Sequence, residues 1–249
     1  MTRPVTSLAA MILWEEGKFQ LDDPISRYLP NFAEQRVFLN SSAPDMSQTR
    51  ERVGDITVAD LMRHTSGLGS RSSDIYVAEQ VRLRSITLEQ LADNAARVPL
   101  FEDPGTAFRY GLSATILGRL VEVWSGMPFD EFLQQRVFSP LGMTDSVFWV
   151  DPARADRLAT VYRPASAGTL RPHEMEEIPF TEKVPLVEGG VGLVSSTLDF
   201  VKFSQLFLSG GELHGNRILQ PETINLMMED SIAPALQPIG NSGYMAASG

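Results

Sequence analysis

Thr2-Arg3-Pro4-Val5-Thr6-Ser7-Leu8-Ala9-Ala10-Met11-Ile12-Leu13-Trp14-Glu15-Glu16-Gly17 is the stretch from which the fold is read. Val5, Leu8, Ala9, Ile12 and Leu13 recur at the spacing of one helix face, and Met11 widens that face. Pro4 suits a first helical turn and Gly17 a C-terminal stop. Thr2 is a weak N-cap candidate. The spacing predicts a helix over 4–16 that begins almost at the first residue.

Outward from that helix, the chain alternates helical stripes with turns. Leu21-Asp22-Asp23-Pro24 reads as a turn, with a short helix from Ile25 and a stop at Pro30. Residues 40–54 are polar and read as an exposed loop. Thr57 is placed to cap a helix that ends at His64-Thr65-Ser66-Gly67. Further helices are expected over 87–97, 113–124 and 129–137, with Gly126 closing the second. Val147–Val150 could form a short strand, and 151–187 shows little regular pattern. Ser196 and Asp199 fit a capping box for a helix carrying Phe200, Phe203, Leu206 and Phe207. A last helix spans 221–229, and the tail to Gly249 is polar and glycine-rich. The sum is mostly helix, long ordered loops and very little strand.

Composition narrows the function. The 249 residues permit one large domain or two small ones, and 43% hydrophobic residues allow a sizeable core. A formal net charge of -10 repels phosphate backbones, which argues against nucleic acid as a partner. With no cysteine, thiolate catalysis and Cys-ligated metal are excluded. His64, His173 and His214 are scattered without ligand spacing, so no metal is expected. No apolar run is long enough to span a membrane. No leader peptide is visible, so the chain as given reads as cytoplasmic.

Several segments, in this order, resemble the β-lactamase-related family, which includes class C β-lactamases, D-alanyl-D-alanine carboxypeptidases and family VIII carboxylesterases. They are Trp14-Glu15-Glu16-Gly17-Lys18 through Leu21-Asp22-Asp23-Pro24, then Tyr28-Leu29-Pro30 and Leu61-Met62-Arg63-His64-Thr65-Ser66-Gly67-Leu68. Next come Phe108-Arg109-Tyr110, Leu117-Gly118-Arg119-Leu120-Val121-Glu122, Pro140-Leu141-Gly142-Met143-Thr144-Asp145 and the run from Gly189 to Thr197. The resemblance implies an α+β fold of the serine β-lactamase and penicillin-binding-protein kind. It places residues 1–249 as one partial domain, mostly the helical part, with most of the central sheet outside the chain. It also implies hydrolysis of a small-molecule ester, amide or β-lactam through an acyl-enzyme, without a cofactor.

The family's nucleophile belongs to a Ser-x-x-Lys motif, in which lysine and serine share one helix face. The helix over 4–16 corresponds to the one that carries it. Its lysine position falls at Arg3, and its serine would precede Met1, as in a Ser-Met-Thr-Arg version of the motif. The residues three before Lys18, Lys183 and Lys202 are Glu15, Phe180 and Asp199, so Ser-x-x-Lys is absent. A guanidinium stays protonated and cannot serve as the base. The tyrosine motif matches as Tyr110-Gly111-Leu112, which assigns Tyr110 to proton traffic and Gly111 and Leu112 to the substrate side. Leu112 stands where class C β-lactamases have Asn, which looks more like the esterase branch. The third motif is expected beyond residue 249.

Plainer roles compete at other positions. His64 suits a hydrogen-bonded helix end, Ser66 a turn, and Asp22 and Asp23 a turn with a cap. Gly189–Gly192 lacks the Lys-Ser/Thr of a phosphate loop and reads as close backbone packing. The expectation is therefore an esterase-like serine hydrolase that is inactive as the isolated chain. The alternatives are a non-catalytic relative that keeps the cleft for binding, and a gene fragment without a function of its own.

Overall fold

The structure is a computed structural model that describes residues 1–165, 168–237 and 239. The glycine-rich tail from residue 240 lies outside the described residues. Nine helices appear among the described residues: α1 (Thr2–Glu15), α2 (Val58–Arg63), α3 (Asp74–Ala78), α4 (Leu88–Arg97), α5 (Ser113–Ser125), α6 (Phe129–Leu133), α7 (Ser139–Leu141), α8 (Thr197–Leu208) and α9 (Pro221–Met228). The strands are short: β1 (Val37–Phe38), β2 (Thr49–Arg50), β3 (Tyr162–Pro164), β4 (Leu170–Pro172), β5 (Glu212–Leu213) and β6 (Asn216–Arg217). They pair as three separate two-stranded antiparallel ladders. The architecture is helix-rich with few strands, as expected.

At the centre lies α1. Val5 and every residue from Leu8 to Leu13 are buried, so the helix is wrapped on nearly all sides, beyond the single stripe that the spacing suggested. Its main neighbour is α5, whose Ile116, Leu117, Leu120 and Val121 are also buried. At the C-terminal end of α5, Trp124 is stacked by Phe19 at 3.8 Å between ring centroids, and Tyr28 meets the same indole edge-on at 5.5 Å. Offset and edge-on aromatic contacts of this kind add to the burial of the rings.

Helix boundaries follow the capping residues. Thr57 and Thr87 each accept from the amide three residues on, and Asp60 and Gln90 return the bond, forming two complete capping boxes. The helix beginning at Thr197 differs from expectation. Ser196 accepts from the Asp199 amide at 3.2 Å, but the Asp199 carboxylate is turned elsewhere. It accepts from the Asp145 amide at 2.7 Å and the Ser146 hydroxyl at 3.1 Å, and pairs with Lys202. This buried carboxylate thereby fastens the 145–147 segment to α8.

Other expectations need correction. Thr2 does not cap α1; it lies inside the helix and its hydroxyl accepts from the Leu193 amide at 3.2 Å. The 129–137 helix is broken, with α6 passing into a π-turn over Gln134–Phe138 before α7. Val147–Val150 forms only a single bridge, Val147 to Val194. Pro30 opens a 3-10 turn instead of ending one, and α3 had no visible sequence signal.

The glycine cluster runs as a strap between α1 and α5. Thr6 donates its hydroxyl to the Gly189 carbonyl at 2.7 Å. A Cβ at Gly189 would lie 2.3 Å from the Ala114 carbonyl oxygen and 3.1 Å from the Gly118 Cα. Backbone cannot yield as a flexible side chain can. Gly189→Ala is therefore expected to cost about 2 kcal/mol. Thermal denaturation should show Tm lowered by roughly 4–8 °C. An unchanged Tm would mean that the strap is not clamped.

Candidate active site

One large cleft, of about 1160 Å³, brings together three segments that the sequence singled out, along with parts of the 70–72, 155–161 and 172–180 stretches. The first turn of α1 contributes Arg3, the segment before α5 contributes Phe108 to Leu112, and the strap contributes Glu188 and Gly190 to Val194. These are the elements to which the sequence assigned the lysine position, the tyrosine motif and the glycine cluster.

The tyrosine segment is held by the loop that follows α2. Arg109 donates its amide to the His64 carbonyl at 2.8 Å, and Leu112 donates to the Gly69 carbonyl at 3.0 Å. Gly69 in turn donates to the Tyr76 hydroxyl at 3.0 Å, and Tyr76 is fully buried on α3. Burial pushes the Tyr76 phenol up to about 12. The unanticipated helix α3 therefore has a purpose: its tyrosine pins the loop that pins Leu112. Gly111 is needed because a Cβ there would sit 2.5 Å from both the Leu68 and Gly69 carbonyl oxygens. Ser66 forms a hydroxyl pair with Ser113 at 2.8 Å, away from any nucleophilic arrangement. Arg109 makes a two-pronged pair with Glu102, and its guanidinium lies over the Phe101 ring.

Arg3 and Tyr110 meet directly. The Arg3 guanidinium carbon lies 4.0 Å from the Tyr110 ring centroid, inside cation–π range. The His64 ring stands 4.8 Å from the same ring and 6.1 Å from that of Phe108. His64 ends α2 in the left-handed conformation at φ 58°, as the helix-end reading anticipated. Burial first, and the Arg3 charge second, hold its imidazole down at about 4. It is therefore neutral at physiological pH. Its Nδ1 is buried without a hydrogen-bond partner.

The arrangement has consequences for proton transfer. A guanidinium keeps its proton, so Arg3 supplies a fixed positive charge and no base. That charge lies against the Tyr110 ring. The described residues contain no group of three or more His, Asp or Glu that could hold a metal ion, and no helix long and apolar enough to cross a membrane.

The β-lactamase family sequence model matches residues 1–244. The chain belongs to the β-lactamase family. It is 34% identical to Protein Rv1367c of Mycobacterium tuberculosis over 93% of this chain and 58% of that protein. It is 29% identical to monacolin J acid methylbutanoyltransferase of Aspergillus terreus over 99% of this chain and 59% of that one. The solved hydrolase EstCE1, described as having promiscuous acyltransferase activity, superimposes with a TM-score of 0.71 at 27% identity, covering 90% of this chain and 60% of its own. The fold is thus the β-lactamase and penicillin-binding-protein fold, and the chain spans about three-fifths of the length of these relatives.

A pH dependence follows from His64. Its folded value lies below the ordinary 6.5, so the unfolded chain takes up a proton first as the pH falls. The contribution to stability is complete above pH 6.5 and is lost as the pH falls through about 4. The difference corresponds to about 3 kcal/mol. Urea denaturation at pH 7 and pH 4.5 should show this loss, and His64→Asn should reduce it. Equal pH sensitivity in the two proteins would assign the loss to other groups.

Proposed function

We propose that this chain forms the substrate cleft of an esterase- or acyltransferase-type member of the family. Its ligands would be small-molecule esters, and amides or β-lactams less readily. One observation carries the reading: the lysine position and the tyrosine of the family motifs lie in contact within one large cleft. Two relatives bear on the reaction class, one named as a methylbutanoyltransferase and one as a hydrolase with acyltransferase activity. Leu112 gives the third position of the tyrosine motif an apolar side chain in place of the asparagine of class C β-lactamases, which favours acyl chains over the β-lactam amide.

In this reading, Tyr110 holds the position that assists proton transfer in the family's chemistry, and Gly111 and Leu112 border the acyl group. Arg3 contributes charge only. Acyl transfer to a hydroxyl also needs a base that can accept its proton, and arginine does not serve. The chain as given therefore binds esters without forming an acyl-enzyme. The arginine itself favours a second reading, a relative that keeps the cleft for binding.

The test joins labelling with binding. A fluorophosphonate probe and a fluorescent penicillin are expected to leave the chain unlabelled. Ethyl hexanoate is expected to shift the amide resonances of Gly111 and Leu112. A probe adduct mapped to a serine would overturn the lack of covalent chemistry. Unmoved cleft resonances would overturn the cleft assignment.

A further inference from the structure

Glu188 is a residue of the cleft wall that neither the family motifs nor the proposed acyl chemistry uses. It is 2% exposed and is one of the residues that line the cleft. Its Oε1 accepts from Arg82 Nε at 2.6 Å. Its Oε2 is buried and has no hydrogen-bond partner. A carboxylate oxygen in that position forfeits its water without a replacement, which is costly unless a ligand supplies the donor.

The surroundings fix where that oxygen sits. Glu188 immediately precedes Gly189, whose backbone is clamped by Thr6 and by the close approach of Ala114 and Gly118. On its other side Arg82 is shared with Glu176, which also binds Arg71 at 2.9 Å. Burial works against the charge on Glu176, but Arg82 and Arg71 outweigh it and hold its carboxyl below the usual range. Burial also opposes the charge on Arg82, and the two carboxylates outweigh it in the same way. The quartet therefore has two carboxylates matched by two guanidiniums. Its charges are already balanced, and what remains unsatisfied is one acceptor oxygen.

We propose that Glu188 Oε2 is a specificity-determining acceptor for a hydroxyl group carried by the substrate. The assignment rests on the ester-cleft reading and adds the substrate class: hydroxylated acyl esters. A neutral hydroxyl satisfies the oxygen without adding charge, whereas an ammonium group would bring a cation with no remaining counter-charge. A wall built to bond a hydroxyl also disfavours the analogue that lacks it, because the acceptor is then left buried and unpaired.

The test is an NMR titration of the isotope-labelled chain with ethyl hexanoate, ethyl 3-hydroxyhexanoate, ethyl 6-hydroxyhexanoate and ethyl 6-aminohexanoate. At least one hydroxy ester is expected to bind about tenfold more tightly than ethyl hexanoate, the amino ester no better than ethyl hexanoate. Glu188→Ala is expected to abolish the hydroxyl preference, with melting curves confirming that the variant folds. If the variant does not fold, the wild-type series still decides. Equal binding of hydroxylated and plain esters, survival of the preference in a folded Glu188 variant, or tightest binding of the amino ester would overturn the Glu188 assignment and leave the cleft reading standing. Absence of binding by every ester would overturn both.

Discussion

The contact on which the arrangement depends is the crossing of the 188–194 strap between α1 and α5. Two glycines, Gly118 on α5 and Gly189 on the strap, allow backbones to approach where side chains would collide. The Thr6 hydroxyl bonds the strap at Gly189, and the Thr2 hydroxyl bonds it again at Leu193. The same first turn of α1 carries Arg3, and the start of α5 follows directly on Leu112. Three segments distant in sequence are thereby held at one cleft by a few short hydrogen bonds and by the absence of two side chains.

Much of this was legible in the sequence, for identifiable reasons. Helices α1, α4 and α5 announce themselves by apolar spacing and by terminal residues whose chemistry is local, as with Thr87 and Gln90. The glycine cluster was readable as close packing because it lacked phosphate-loop chemistry. Features set by distant partners were not legible. Asp199 has the position of a capping residue but bonds to Asp145, more than fifty residues away, because burial rewards the tertiary contact. Helix α3 is five residues long, too short for a periodic signal, and is fixed by the burial of Tyr76. Val147 pairs with Val194 alone, so its strand-like composition finds no longer partner among the described residues.

The site was legible to a different depth. Arg3, Tyr110, Gly111 and Leu112, the positions suggested by the family resemblance, line one cleft. Spacing could not reveal that His64 would stand 4.8 Å from Tyr110 as a neutral ring, because that depends on burial and on the charge of Arg3. Glu188 gave no sequence signal at all. A glutamate before two glycines looks like a solvated loop residue until the fold encloses it.

The strap combines a tightly packed main chain with a buried side chain at the wall of a cavity. A substituent at residue 189 would press on backbone, while residue 188 stands at the edge of the cleft. Such a site separates shape from preference. Exchange at position 188 can alter what the cavity favours while its walls stay where they are, so relatives of one fold can diverge in substrate by changing a single letter beside a pair that cannot change.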